Sequence, residues 1–510
     1  MNSATIPTDV SNDEAILKAF SYHLGKDITH YAPAFLIPAL LNMVGIFLFT
    51  RIFPPDQYGD YLLAFVAVNF LSILLADWVV HSLLRFIPKF SQDEQRRLLY
   101  KNVAGILAVE TFFSLFLALF FILFFHRWLG RFSSFFFLGL MLLYATMAFK
   151  LLSSVFQAQL MSFQFAKYQV FFAASRLAFS IALVFLVSRQ VSWLILGTFL
   201  GYAVMVWPMM KQARLTEQLR ENLRPDFSLV KRLSRYGIPL LGWILGAEVL
   251  MILDKFMLAV MRNTTEVGIY GANYSLTVSG ISFVSYPIIM AAHPILITAW
   301  ERHDQRQVQR LISSFSRYYV LFVLPCFAFT LAFSREIAWI LLGPSFREGS
   351  AIIPLIFCGY LGWNFGMYGH KSLELTEKTK IMFYLILLCT LLNVVLNLIL
   401  IPWKGYFGTA IASSVSMGLY PVIVYVVSDR IMKFRWHIPW LSLAKLGFSA
   451  LMMFLLMLVL KREMKEIEPA VVLVLCGICG TALYFLLALL TKEIKTYERQ
   501  WIKRAVLRKN

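Results

Sequence analysis

Ionised side chains stand in this sequence where apolar runs should exclude them. Asp77, His81 and Arg85 recur every four residues, which aligns them as a stripe on one helix face. Lys150 and Arg176 follow in two further runs, and Glu110 lies between them and the stripe. The stretch GAEVLMILDKFMLAV then carries Glu248, Asp254 and Lys255, and Lys445 completes the set. Glu248 and Lys255, seven apart, share a face, whereas Asp254 points elsewhere. Two chemistries are open to these groups. Arg85, Lys150 and Arg176 could receive the oxygens of a phosphate or pyrophosphate, arginine best of all because its planar fork binds two oxygens at once. Asp77, His81, Glu248, Asp254 and Lys255 could bind a coupling cation, H+ or Na+, or gate a cavity. A structural reading stands beside these: Asp254 pairing with Lys255, and Asp77 with Arg85, to hold helices in register. Arg176 has no acid within a turn or two in sequence, so it is the strongest candidate for a ligand contact.

The elements around these residues explain why the charges are costly. Of 510 residues 59% are hydrophobic and only 15% charged, against about a quarter charged in a soluble chain. Apolar runs of about twenty residues recur from end to end, each long enough to cross a hydrocarbon core of roughly 30 Å as a helix. Inside lipid the backbone must satisfy its own hydrogen bonds, and the runs show no alternation of period two, so they are helices rather than barrel strands. About fourteen are expected, including a closely spaced pair at 168–188 and 191–210, the charged run at 237–261, and a long run at 267–298 bent at Pro287 and Pro294. The fold class is all-α and polytopic. A charge near the bilayer centre costs roughly 2.5–3.5 kcal/mol by insertion scales, and such residues normally face a bundle interior or a wet cavity.

Charge also gives orientation. With both termini inside, roughly two-thirds of the 47 lysines and arginines fall in inner segments and roughly a quarter in outer loops. The formal charge of +19 is therefore read as membrane topology, not as nucleic-acid binding. The N-terminus lacks a charged start followed by an apolar core, so the first helix is expected to act as insertion signal. The basic segment 211–235 and the tail after 491 are expected to lie on anionic lipid.

An internal repeat organises the helices. YAPAFLIPALL leads to RIFPPDQYGDY, and YGIPLLGWILG leads to RNTTEVGIYGANY. Each unit enters through Tyr and Pro (Tyr31 and Pro33, Tyr236 and Pro239) and leaves through Arg and a Gly-x-Tyr (Gly59 and Tyr61, Gly268 and Tyr270). The expected plan is an inner segment 1–30, a six-helix lobe 31–210, a basic linker 211–236, a second six-helix lobe 237–430, two more helices in 431–491, and a basic tail 492–510. Two such lobes would be related by an axis along the membrane normal and enclose a central cavity. In helix ten, Gly359, Gly362, Gly366 and Gly369 line one face; they allow close packing or form a bending point beside His370 and Lys371. Cys476 and Cys479 have redox-motif spacing, but within an apolar run they read as small packing residues. No zinc-type ligand cluster is present, and neither metal nor cofactor is expected beyond the coupling ion.

On these residues the chain resembles the polysaccharide and oligosaccharide-lipid flippases of the multidrug/oligosaccharidyl-lipid/polysaccharide exporter superfamily. The resemblance rests on RIFPPDQYGDY, on DKFMLAVMRNTTEVGIYGANYSL and, most specifically, on NVVLNLILIPWKGYFGTAIAS with Asn393, Asn397, Pro402, Gly405, Gly408 and Ala410. ADWVVHSLLRF is similar to the family's Asp-to-basic pattern but has Trp78 and Val79 where a Gly usually follows the Asp. The resemblance implies a bacterial inner-membrane transporter that moves a glycan on a polyprenyl pyrophosphate by alternating access. Membrane lipids and other polysaccharide assembly proteins would be its partners. Three alternatives are weighed. A cation-coupled multidrug exporter would want a more acidic cavity. A lipid-linked peptidoglycan precursor flippase would share helices and cations. An enzyme that polymerises or ligates such glycans would need a large outer loop with paired carboxylates, and the outer connections here are short.

Overall fold

The computed structural model describes residues 29–90, 93–129, 133–215, 226–301, 304–431, 434–495 and 498. Fourteen long helices account for the described chain, and no strand occurs among the described residues. In order they are α1 (Thr29–Ile52), α2 (Pro55–Lys89), α3 (Asp93–Leu129), α4 (Ser133–Ala158), α5 (Ser162–Leu186), α6 (Ser192–Gln212) and α7 (Phe227–Met261). They continue as α8 (Thr264–Glu301), α9 (Gln305–Leu341), α10 (Ile352–Leu375), α11 (Thr379–Lys404), α12 (Tyr406–Val426), α13 (Trp440–Glu463) and α14 (Pro469–Leu490). Thirteen are long and apolar enough to cross a membrane. The remaining one, α7, is the 35-residue helix that carries Glu248, Asp254 and Lys255. The closely spaced pair is two helices, α5 and α6. The N-terminal segment, most of the basic tail and residues 216–225 of the linker lie outside the described residues.

Local chemistry sets the helix starts. Pro55 and Pro469 occupy first-turn positions, where a missing N–H costs nothing. Asp226 caps α7: its Oδ1 accepts from Ser228 N at 2.8 Å and Ser228 Oγ at 2.7 Å. These bonds from Ser228 hold its carboxyl below the ordinary value of 3.8. In α2 a π-helical turn, Ile73–Asp77, interrupts the regular helix and sets Asp77 at its end.

Close contacts divide the chain into two compact units. One comprises Pro33–Ala272 with Ile386–Thr409, so α1 to α7 and much of α11 belong together; the other comprises Asn273–Leu385 with the chain from Ala410 onward. In the first unit the two repeat glycines meet. A Cβ on Gly59 would strike the carbonyl of Thr264, and one on Gly268 would strike the carbonyl of Pro55. The starts of α2 and α8 can approach this closely only with hydrogen in place of a side chain. The second and third segments that carry the resemblance also meet here. Glu266 Oε2 accepts from Tyr406 N at 2.8 Å and Oε1 from Arg262 Nε at 2.8 Å, while Gly405, at φ +52°, leaves room for that carboxylate. Glu266 therefore caps α12 from the start of α8.

Candidate functional site

The charged stripe of α2 sits in a polar layer within the first unit. Lys150, from α4, donates to Asp77 Oδ1 at 3.2 Å, the two side chains being 26% and 16% exposed. Asp77 thus pairs across helices with Lys150, not along its own helix with Arg85. His81, one turn on, is half-buried. From α2, Asn69 Nδ2 donates to Glu248 Oε1 of α7 at 2.9 Å, and Trp78 Nε1 donates to Glu110 Oε1 of α3 at 3.0 Å. The tryptophan that replaces the expected glycine therefore has work to do: it donates to one oxygen of a carboxylate whose other oxygen, Oε2, is buried without a hydrogen-bond partner among the described residues. Each of these three acids has a donor, as groups in this environment must.

Arg85 lies at the far end of the stripe and is exposed, its guanidinium 4.2 Å from the ring centroid of Tyr236. The start of α7 comes close to α2 there because Gly237 has no side chain to meet the Trp78 carbonyl. Ser82 Oγ donates to Leu233 O at 3.0 Å in the same contact.

Arg176 differs from both other cations. Its backbone is pressed against α6, where a Cβ on Gly201 would stand 2.8 Å from Arg176 Cα. The side chain extends to α1 and α2: Nη2 donates to Asn42 Oδ1 at 3.1 Å, and the guanidinium lies 5.8 Å from the Phe65 ring centroid. Tyr58 and Tyr202 share its electrostatic surroundings, and Tyr202 stacks on Phe172 with centroids 3.9 Å apart. Arg176 is half-buried, and no carboxylate pairs with it among the described residues. A neutral amide and aromatic rings orient the fork without neutralising it, which leaves the charge available to an anion.

Toward the C-terminal end of α7 the arrangement is closed. Asp254 is 0% exposed and Lys255 5%. Asp254 Oδ1 accepts from Lys255 N at 2.7 Å and from Lys255 Nζ at 3.3 Å, and Oδ2 accepts from Tyr270 Oη at 2.6 Å. Lys255 Nζ also donates to Met251 O at 2.7 Å. Tyr270 belongs to the second Gly-x-Tyr unit, so the close approach at Gly268 and the partner of Asp254 come from one motif. On α11, Asn397 Nδ2 donates to Asn393 Oδ1 at 2.9 Å, both amides being buried in the same unit.

The helix-ten glycines lie in the second unit. Added Cβ atoms at Gly359 and Gly362 would meet Ser414 Cα at 2.8 Å and Gly418 Cα at 3.0 Å. At Gly366 the neighbours are Tyr420 and Pro421, and at Gly369 the ring of Trp436. All four bring α10 against α12 and the chain that follows it. Beside them His370 is buried against Tyr420, and Lys371 Nζ reaches Glu374 at 2.6 Å and His293 at 2.9 Å.

Charge patterning singled out the ionised members of the site but missed the neutral ones: Asn42, Asn69, Trp78, Tyr202 and Tyr270. A lone amide in an apolar run, as at Asn42 and Asn69, is the signal that could have found two of them.

Comparison with known proteins gives four likenesses. The sequence profile described as "Polysaccharide biosynthesis protein" matches residues 24–300. The chain is 23% identical over 226 residues to the probable low-salt glycan biosynthesis flippase Agl15 of Haloferax volcanii, a match that spans 44% of this chain and 48% of that protein, about half its length. Among solved structures, the lipid II flippase MurJ in an inward closed conformation has a TM-score of 0.74 at 13% identity, covering 91% of this chain and 98% of that one. An inward-facing multidrug resistance MATE family transporter of the MOP superfamily scores 0.62 at 12% identity, covering 78% and 95%. At these identities the structural likeness speaks for the fold.

Proposed function

The chain belongs to the polysaccharide biosynthesis protein family, and on that premise we propose that it carries a polyprenyl-pyrophosphate-linked oligosaccharide across the bacterial inner membrane by alternating access. At the coarser level it is a multi-pass membrane protein, a flippase-type transporter with the fold of the MOP superfamily. The observation that carries the finer reading is Arg176: a half-buried guanidinium held by an amide and aromatic rings, with no acid to neutralise it. In this reading Arg176 receives the pyrophosphate, with Arg85 and Lys150 as supporting cations. Lys150 moves between Asp77 and the substrate. Asp254 with Lys255, and Glu248, Asp77 and His81, respond to the coupling ion, H+ or Na+. The glycines of α10 supply a bending point, and both termini face the cytoplasm. The glycan role of the Haloferax relative supports the substrate class.

Deletion in the native host tests this. Lipid-linked oligosaccharide should accumulate on the cytoplasmic leaflet while surface glycan is lost. Drug sensitivity with normal surface glycan would favour a multidrug exporter, and accumulation of a lipid-linked peptidoglycan precursor would favour a flippase for that precursor.

A further inference from the structure

A second cationic site lies in the other unit, apart from Arg85, Lys150 and Arg176. Where α9 and α13 begin, a cavity of about 560 Å³ opens between them and the segment that follows α14. Its wall carries Arg306, Arg310 and Arg317 of α9, His437, and Lys495. Ser313, Ser314 and Ser442 add hydroxyls. Arg306 and Arg310, one helical turn apart, are exposed and have no acidic partner among the described residues. Arg317 has a different part. It is buried and bonded to the Glu498 carboxylate and to Glu493 O at 2.6 Å, while Lys445 holds Glu493 at 3.2 Å and Thr491 O at 3.1 Å. These bonds fix the segment after α14 as a wall and occupy both of its acids. Asp304 is engaged as the cap of α9, accepting from Gln307 N at 2.9 Å, and Asp429 pairs with Arg435 at 3.6 Å. The cavity therefore keeps an excess of positive charge.

Its edge is apolar. Trp440 and Leu441, beside the lining residues Pro439 and Ser442, are 64% and 70% exposed. An exposed tryptophan at a helix start is the usual anchor at headgroup depth. Unpaired arginines next to exposed apolar side chains match a molecule that joins a phosphate to hydrocarbon. We infer that this pocket holds the phosphate headgroup of an anionic membrane phospholipid, with its acyl chains along Trp440 and Leu441, independently of the transported substrate.

The test is a lipid titration of the purified full-length protein followed by native mass spectrometry, with phosphatidylglycerol, phosphatidylcholine and inorganic phosphate as separate probes. Phosphatidylglycerol should bind in preference to phosphatidylcholine, and an equal concentration of inorganic phosphate should not displace it. The double variant Arg306→Gln with Arg310→Gln, both exposed, should bind it roughly thirtyfold more weakly. A control of equal charge loss at the start of α11, Lys378→Gln with Lys380→Gln, both exposed and away from the pocket lining, should bind like the wild type. Undiminished binding by the Arg306 and Arg310 variant would overturn the site. Equal weakening in the control would reduce it to bulk charge, and displacement by inorganic phosphate alone would remove the lipid from the proposal.

Discussion

A lysine in a bilayer is tolerable when a carboxylate waits for it, and Lys150 has Asp77 at 3.2 Å. Replacing Lys150 alone by Met leaves Asp77 without its counter-charge and should cost about 1–3 kcal/mol, the pair being partly wet. Adding Asp77→Asn should return most of that loss. Thermal unfolding in detergent measures both; a double variant no more stable than Lys150→Met would mean that the pair does not set the cost. The Asp254–Lys255 pair is drier. Asp254→Asn should therefore cost more, about 3–5 kcal/mol, because it strands a buried ammonium. In the same assay Asp254→Asn should fall below Lys150→Met, and the reverse order would contradict the burial argument. The sequence made all of these charges visible. It did not show which acid meets which base, because Asp77 was as well spaced for Arg85 as for any other cation. The π-helical turn that ends at Asp77 and the approach of α4 settle the pairing, and neither leaves a mark in residue spacing.

At the scale of elements, the helix positions were legible because each apolar run is bounded by polar or proline-containing turns. Contacts between helices were not, since they depend on glycines whose neighbours are remote in sequence. Gly59 and Gly268 stood out as a repeat, but only the structure shows that each meets the chain near the other. Alanine at either must push α2 from α8 and should destabilise the protein by about 1–3 kcal/mol. Gly280→Ala, whose added Cβ meets nothing within 4 Å, is the control and should leave the unfolding temperature nearly unchanged; equal effects at all three positions would remove the close approach as the cause. The cap on α7 gives a pH dependence. Because the Asp226 carboxyl is held below its ordinary value, the cap contributes above about pH 4 and is lost as pH falls through the depressed value. Hydrogen exchange at Ser228 and Leu229, corrected for intrinsic rates, should be faster at pH 3 than at pH 6. Asp226→Ala should abolish that difference, and persistence of the difference in the variant would show that another group titrates.

For the whole molecule, composition together with the length and recurrence of the apolar runs established a polytopic helical membrane protein. The grouping of helices needed the structure: α7 and Ile386–Thr409 lie with the first six helices, fixed by contacts such as Gly246 on Ile386 and Glu266 on Tyr406. The central claim is that a guanidinium left unneutralised within this bundle draws a lipid-borne pyrophosphate across the membrane. The most direct measurement is the initial rate at which purified protein in liposomes moves polyprenyl-pyrophosphate-linked oligosaccharide between leaflets. Wild type should move it, Arg176→Lys should retain a fraction, and Arg176→Gln, folded and inserted to the same extent, should fall to the rate of empty liposomes. Transport by Arg176→Gln at the wild-type rate would contradict the account.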